Sequence, residues 1–184
     1  MNQIWEWPSL NFWHLNSLGL PIEIWFGMLS QVRSMPAISS HAVANAFLAL
    51  AKRNSKPLTN MQVQKLVFLA QGYSLGVLDR EIYYHNTHAW QWGPVIPNLY
   101  KSLQHYGSGN VTEPLPTDDE LIEGSDEFGI VEGVWGAYGE YTGAQLSTLT
   151  HKPGSPWSKQ WNLKEFGIIP LDEIKSYYVN LLRS

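Results

Sequence analysis

The sequence predicts a mainly α protein, a compact single-domain helical fold with two short strands. Three observations carry this prediction. Apolar residues recur at helical spacing in several separate stretches. Ser or Thr stands ahead of these stretches where an N-cap is needed, twice with Gln three residues further on, as in a capping box. Only the region from Glu81 to Val95, which includes AWQWGPV, has the extended and aromatic character of a strand.

The elements follow in order. Ser39 or Ser40 can cap a helix over His41–Arg53, with Val43, Ala46, Phe47 and Leu50 on one face. Asn54-Ser55-Lys56-Pro57 ends it. Thr59, with Gln62 completing a capping box, begins a second helix. Val63, Leu66, Val67, Ala70 and Tyr73 line one side of it, and Leu69 widens the stripe, which suits a central position in the core. Gly72 and Gly76 each cost a helix roughly 1 kcal/mol relative to Ala, so they imply either close packing or fraying. Glu81–Tyr84 reads as a short strand or an extended connector, and His88–Trp92 as another extended piece before Gly93-Pro94. If His88–Trp92 is a strand, Trp90 and Trp92 share one face. Pro97 suits the first turn of a helix through Leu99, Tyr100, Leu103 and Tyr106, ended by Gly107 and Gly109. Residues 110–125 are turn-rich and read as a surface loop. Weak helical periodicity returns over Asp126–Tyr138. Thr142 and Gln145 form a second capping-box pattern for a short helix stopped by Lys152-Pro153-Gly154-Ser155-Pro156. A last helix is expected from about Leu171 to Leu182, with Ile174, Tyr177, Tyr178 and Leu181 inward.

Composition narrows the function classes. The apolar fraction of 44% can build a core, while charged residues reach only 15%, against about 25% in an ordinary soluble domain. Nine Trp, nine Tyr and six Phe occupy part of that difference. Rings of this kind serve cores and interfaces alike. There is no Cys, so disulfides, thiolate zinc sites and thiol catalysis are excluded; a cytoplasmic location is compatible with this. Charge is uneven. Glu113, Asp118, Asp119, Glu120, Glu123, Asp126, Glu127, Glu132 and Glu140 fall within residues 111–140, which hold no Lys or Arg. This segment is either a solvated loop and helix end or a docking surface for a basic partner.

The first 34 residues differ from the rest. They hold four Trp but only Glu6, Glu23 and Arg33 as charged residues. They lack the basic start and clean apolar centre of a signal peptide. Asn11, His14, Asn16, Pro21 and Glu23 interrupt any run approaching the ~20 residues of a membrane span. Three readings fit: sequence upstream of a true start at Met35, an apolar arm that packs on the domain or a partner, or a membrane-surface segment. The shortage of Lys and Arg weighs against the last.

The residues give little support to catalysis. No G-x-S-x-G elbow occurs. Gly107-Ser108-Gly109 is too short for a phosphate cradle and follows a helix instead of opening one. His85 and His88 lie three apart beside an extended stretch, where such positions face opposite sides, so no metal or cofactor is expected. Asp118 and Asp119 sit in a turn-rich loop, poorly placed for acid–base work. His151 reads as a cap or local hydrogen-bonding residue, or as a functional contact. Trp90 and Trp92 are either core anchors or aromatic contacts for a partner. Together with Asp118, Asp119 and Glu120 they are the expected partner-binding residues. A nucleic-acid-binding regulator is the alternative class: Lys52, Arg53, Lys56, Lys65 and Lys101 could meet phosphates, but the pI of about 5.8 and the lack of a basic stripe speak against it.

Three ordered motifs add a resemblance. They are Gln64-Lys65-Leu66 followed by Ala70-Gln71-Gly72, then Ala89-Trp90 with Gly93-Pro94-Val95, then Leu149-Thr150-His151 with Pro156-Trp157. In this order they resemble the Panacea domain, the SocA-like or GepA-like family associated with phages and other mobile genetic elements. The resemblance runs from about Ile38 to Trp161 and takes in the final helix, which favours a start at Met35 and a domain over residues 35–184. It implies a non-enzymatic antitoxin-type protein of a toxin–antitoxin system, which binds and neutralises a cognate toxin. The member for which the family is named acts as a proteolytic adaptor, so the resemblance also implies an ATP-dependent protease as a further partner. The family supplies no catalytic residues to carry over.

Overall fold

The computed structural model describes residues 37–183. The reading of residues 1–34 as an extension ahead of Met35 lies outside the described residues. Seven α-helices are described: α1 (Ser40–Arg53), α2 (Asn60–Val77), α3 (Pro97–Leu103), α4 (Asp126–Tyr138), α5 (Gly143–Thr150), α6 (Pro156–Leu163) and α7 (Leu171–Arg183). Among the described residues a single hairpin, β1 (His88–Trp90) and β2 (Gly93–Val95), stands between α2 and α3. The protein is mainly α, as the periodicity predicts.

Local chemistry sets the helix starts. Ser39 caps α1, its side chain accepting from the His41 N–H. Thr59 and Gln62 close a reciprocal capping box on α2, and Thr142 and Gln145 do the same on α5. Each box satisfies two backbone N–H groups that the helix itself leaves without partners. Ser125 caps α4 by accepting from the Phe128 N–H. Pro97 occupies the first turn of α3, and a 3-10 turn over Gln104–Tyr106 extends that helix to Gly107.

α2 is the centre of the fold. It packs against α1, α4, α5 and α7 and touches β2 and α3. Its residues 63–72 are all buried, so neighbours surround it on every side at mid-length. Each fully buried Leu, Val or Phe there contributes about 1.5–3 kcal/mol of burial free energy. Gly72 and Gly76 are sites of close packing, not fraying. A Cβ at Gly72 would lie 2.2 Å from Tyr178 Cε2, and one at Gly76 would lie 2.9 Å from Leu182 Cδ1. α7 therefore crosses α2 at its two glycines, with the Tyr178 ring seated where a side chain would otherwise be.

Three features sharpen or differ from the sequence reading. Of the two forms expected for Glu81–Tyr84 the connector is the one found; Ile38 and Tyr83 make an isolated parallel bridge that ties the start of α1 to it. Residues 110–125 are a loop, but Val111, Leu115 and Leu121 are buried and pack it back on the core. α6 follows directly on the Pro-Gly-Ser-Pro segment, with Ser155 as N-cap and Pro156 in its first turn. The segment after α6 returns to the hairpin. Phe166 N–H donates to Ala89 O at 2.9 Å, Ala89 N–H to Gly167 O at 2.8 Å, and Ile169 N–H to Thr87 O at 2.8 Å. None of the described helices is long and apolar enough to cross a membrane.

Candidate partner-binding site

The three motifs of the sequence meet in one place. α2 sends three buried polar side chains outward as rungs that hold connector backbone. Gln64 accepts from the Ile96 N–H at 2.9 Å and so fixes the start of α3, where Ile96 has no side-chain cap of its own. Gln71 accepts from the N–H groups of Ile82 and Tyr83 at 2.9 and 3.2 Å, and donates to Tyr83 O at 3.1 Å. Lys65, 1% exposed, donates from Nζ to Pro94 O at 3.1 Å. These contacts satisfy backbone groups that would be costly to bury without partners.

Gly93 is required at the hairpin. Its φ of +106° is a conformation that L side chains rarely adopt. A Cβ there would also come within 2.7 Å of Lys65 Cε and 3.0 Å of Thr150 Oγ1. From the other side, Ser147 Oγ donates to Trp92 O at 3.1 Å and Trp157 Nε1 donates to Trp90 O at 2.8 Å. The hairpin is thus held by α2, α5 and α6 together.

His151 ends α5 as its C-cap, the local role the sequence suggests. Its ring packs on Trp157 with centroids 3.8 Å apart, and its Nδ1 lies 3.2 Å from Ser147 Oγ. Because Ser147 gives its one proton to Trp92 O, His151 Nδ1 is the donor in that pair. The Nε2 lone pair is then left buried with no partner among the described residues. Burial, followed by the nearby Lys65 ammonium, lowers the His151 pKa. Burial alone brings Lys65 down from 10.5 to about 7. The cluster acts as a frame for the hairpin.

The expected partner-binding residues divide between two elements. Trp90 is half-buried, its ring edge-on to Tyr100 at 5.1 Å. Trp92 is 64% exposed. The strand ends at Trp90 and Gln91-Trp92 form the turn, so the shared strand face expected for these two rings does not arise. Asp118 and Glu120 are exposed on the 110–125 loop, while Asp119 is half-buried and accepts from the Ser39 N–H at 2.6 Å. The surrounding acidic segment is partly neutralised within the fold. Glu123 pairs with Arg53 and Glu140 with Lys56. Asp126 and the buried Glu127 pair with Arg80 at 3.0 and 2.7 Å. Glu113, Asp118, Glu120 and Glu132 are exposed and make no ion pair among the described residues.

The sequence reading missed a histidine cluster at the start of α1. Ser40 sends both its N–H, at 3.2 Å, and its hydroxyl, at 2.9 Å, to His85 Nδ1. His41 Nε2 lies 2.9 Å from Ser102 Oγ, and the two imidazoles are 6.0 Å apart. Burial lowers both pKa values. For His41 the neighbouring His85 lowers it further; for His85 the Asp119 carboxylate opposes the shift. His88 belongs elsewhere, with Nδ1 3.1 Å from Phe166 O. The described residues contain no group of three or more His, Asp or Glu able to hold a metal. No sequence signal pairs Ser40 with His85, because the contact depends on how the 79–87 connector folds back.

The frame coincides with the part of the chain that known proteins share. The family described as "Antitoxin SocA-like, Panacea domain" matches residues 63–158. Antitoxin SocA of Caulobacter vibrioides (strain NA1000 / CB15N) is 28% identical over 136 residues, which cover 66% of this chain and 69% of that protein. No solved structure matches. The match begins inside α2, takes in the rungs, hairpin and His151, and ends just past Trp157, so the chain belongs to the SocA-like antitoxin family that carries the Panacea domain.

Proposed function

We propose that this chain is an antitoxin that binds and neutralises a cognate toxin protein in the cytoplasm, with residues 35–184 as its Panacea domain. The observation that carries this reading is the family match over residues 63–158, supported by the likeness to Antitoxin SocA. The site chemistry agrees with it. The polar residues of the motifs are buried as rungs, whereas Trp92, Asp118 and Glu120 are exposed on the hairpin turn and the loop. An exposed Trp on a braced turn has the character of an interface anchor. Delivery of the bound toxin to an ATP-dependent protease is the mechanism we favour, since that role would need two binding surfaces and no catalysis. The action is stoichiometric, not enzymatic.

The test is genetic and then physical. A neighbouring open reading frame that arrests growth should be tolerated when this chain is co-expressed, and the two proteins should co-purify. Growth arrest that this chain cannot relieve, from any adjacent gene, would refute the antitoxin role. If an adaptor mechanism operates, the toxin's half-life should lengthen when the protease is deleted; an unchanged half-life would leave occlusion alone. The regulator reading gains nothing from the fold. Of its five cations Lys65 is buried, Arg53 faces Glu123 and Lys56 faces Glu140.

A further inference from the structure

A cleft of about 160 Å³ opens where α2, α4, α5 and α7 converge. Phe68, Tyr73, Tyr138, Leu149 and Tyr177 line it, and Lys152 stands among its lining residues with an exposed side chain. The volume is that of a single ring, close to the ~150 Å³ cavity that holds benzene in an engineered protein core. A Phe or Leu side chain fits this space.

The polar groups of the cleft select among such occupants. The Tyr73 and Tyr138 hydroxyls are 2.6 Å apart. One proton lies between them, so the accepting phenol keeps its own proton for another acceptor. No such acceptor occurs among the described hydrogen bonds. Burial raises the Tyr73 pKa, with the Tyr138 hydrogen bond adding to it, so Tyr73 keeps its proton at neutral pH. Lys152 makes no ion pair among the described residues, and no Asp or Glu lines the cleft. A spare O–H donor and a lone cation at the edge of an apolar slot are complementary to an anion attached to an apolar group.

We propose that this cleft receives a Phe- or Leu-sized side chain of the toxin with a carboxylate beside it, as at a chain terminus or next to an acidic residue. The source of that group rests on the antitoxin reading; the chemistry of the cleft does not. The apolar part sits against Phe68 and Leu149. The carboxylate accepts from the tyrosine pair and faces Lys152.

Two experiments separate the chemistry from its source. In the first, the full chain labelled with nitrogen-15 is titrated with N-acetyl-L-phenylalanine and with its C-terminal amide. Saturable shifts are expected at Leu149, Thr150, Lys152 and Tyr177 with the phenylalanine acid. The amide should bind about three- to tenfold more weakly, and Lys152→Glu should abolish the preference for the acid. Absence of saturation, shifts mapping elsewhere, or equal binding of acid and amide would overturn the proposal. In the second, the co-encoded toxin is titrated against Leu149→Trp, which fills the slot, and against Lys152→Glu, a surface change that leaves the core untouched. Both should weaken toxin binding by roughly tenfold or more. Unchanged affinity in both variants would overturn the cleft as a toxin site and leave the antitoxin reading standing. A wild-type chain that takes the acid but binds no toxin would defeat the antitoxin reading and the toxin source with it.

Discussion

Replacing Lys65 with Met should stabilise this protein at neutral pH, although Lys65 lies within the most recognisable motif of the chain. The side chain is 1% exposed, and burial lowers its pKa from 10.5 to about 7. At ~1.4 kcal/mol per pH unit, that depression corresponds to a penalty of ~5 kcal/mol. The sign follows from proton counts. Between about pH 7 and 10.5 the unfolded chain holds a proton on Lys65 that the folded chain does not. Stability therefore rises with pH across that window, and the penalty is complete at and below its lower end. Met keeps the length of the stem and removes the amine. It also strips Pro94 O of its donor, at a cost of about 1–3 kcal/mol. The net gain at pH 7 is ~2–4 kcal/mol, worth at least ~4–8 °C in Tm for a domain of this size. Near pH 10.5 the penalty has vanished and only the lost hydrogen bond remains, so the same variant should be less stable than wild type. Urea unfolding of both proteins at pH 7 and at pH 10 measures the crossover. Equal destabilisation of Lys65→Met at both values would show that the ammonium is stabilised where it sits, and would refute the reasoning.

Gly72→Ala places a methyl carbon 2.2 Å from Tyr178 Cε2 and should destabilise by about 1–3 kcal/mol or more, read as a lower urea midpoint; an unchanged midpoint would mean that α7 does not pack across α2. His41, His85 and His151 all have lowered pKa values, so the unfolded chain gains protons first as pH falls below 6.5, and stability should drop through that range. His85→Asn should flatten this slope, whereas an identical slope would remove the α1 cluster from the acid response. Trp92→Ala should leave the unfolding free energy within about 0.5 kcal/mol of wild type. If the hairpin turn contacts the toxin, calorimetry should show it weakening that complex by ~2 kcal/mol or more; no loss would move the interface away from the turn.

Most of the helices were legible because their starts are chemical and local. Thr59 with Gln62, and Thr142 with Gln145, mark the starts of α2 and α5 within four residues of sequence. Asp126–Tyr138 was legible from periodicity alone. α6 was not, because Lys152-Pro153-Gly154-Ser155-Pro156 reads as a stop for α5, while its last two residues also supply the N-cap and first turn of the next helix. The two glycines of α2 were ambiguous for a different reason. Close packing and fraying look alike until the partner is known, and the partner, Tyr178, lies at the far end of the chain. The candidate site was less legible than the fold. Trp92 stands exposed on its turn, but the division of Asp118, Asp119 and Glu120 depends on a hydrogen bond to Ser39, far earlier in the sequence. The pairing of Glu123, Asp126, Glu127 and Glu140 with cations from α1 and the connectors likewise shrinks an acidic block that looked uniform in one dimension.

The crossing of α7 over the glycines of α2 also sets when this protein can fold. The two helices are far apart in sequence, and the groove at Gly72 is complete only when Tyr178 occupies it. A folding chain in which α7 has not yet docked therefore carries an open seam along its central helix. A chain cut short before Leu171 lacks the element that closes that seam, and quality-control proteases would meet it as an unfinished core.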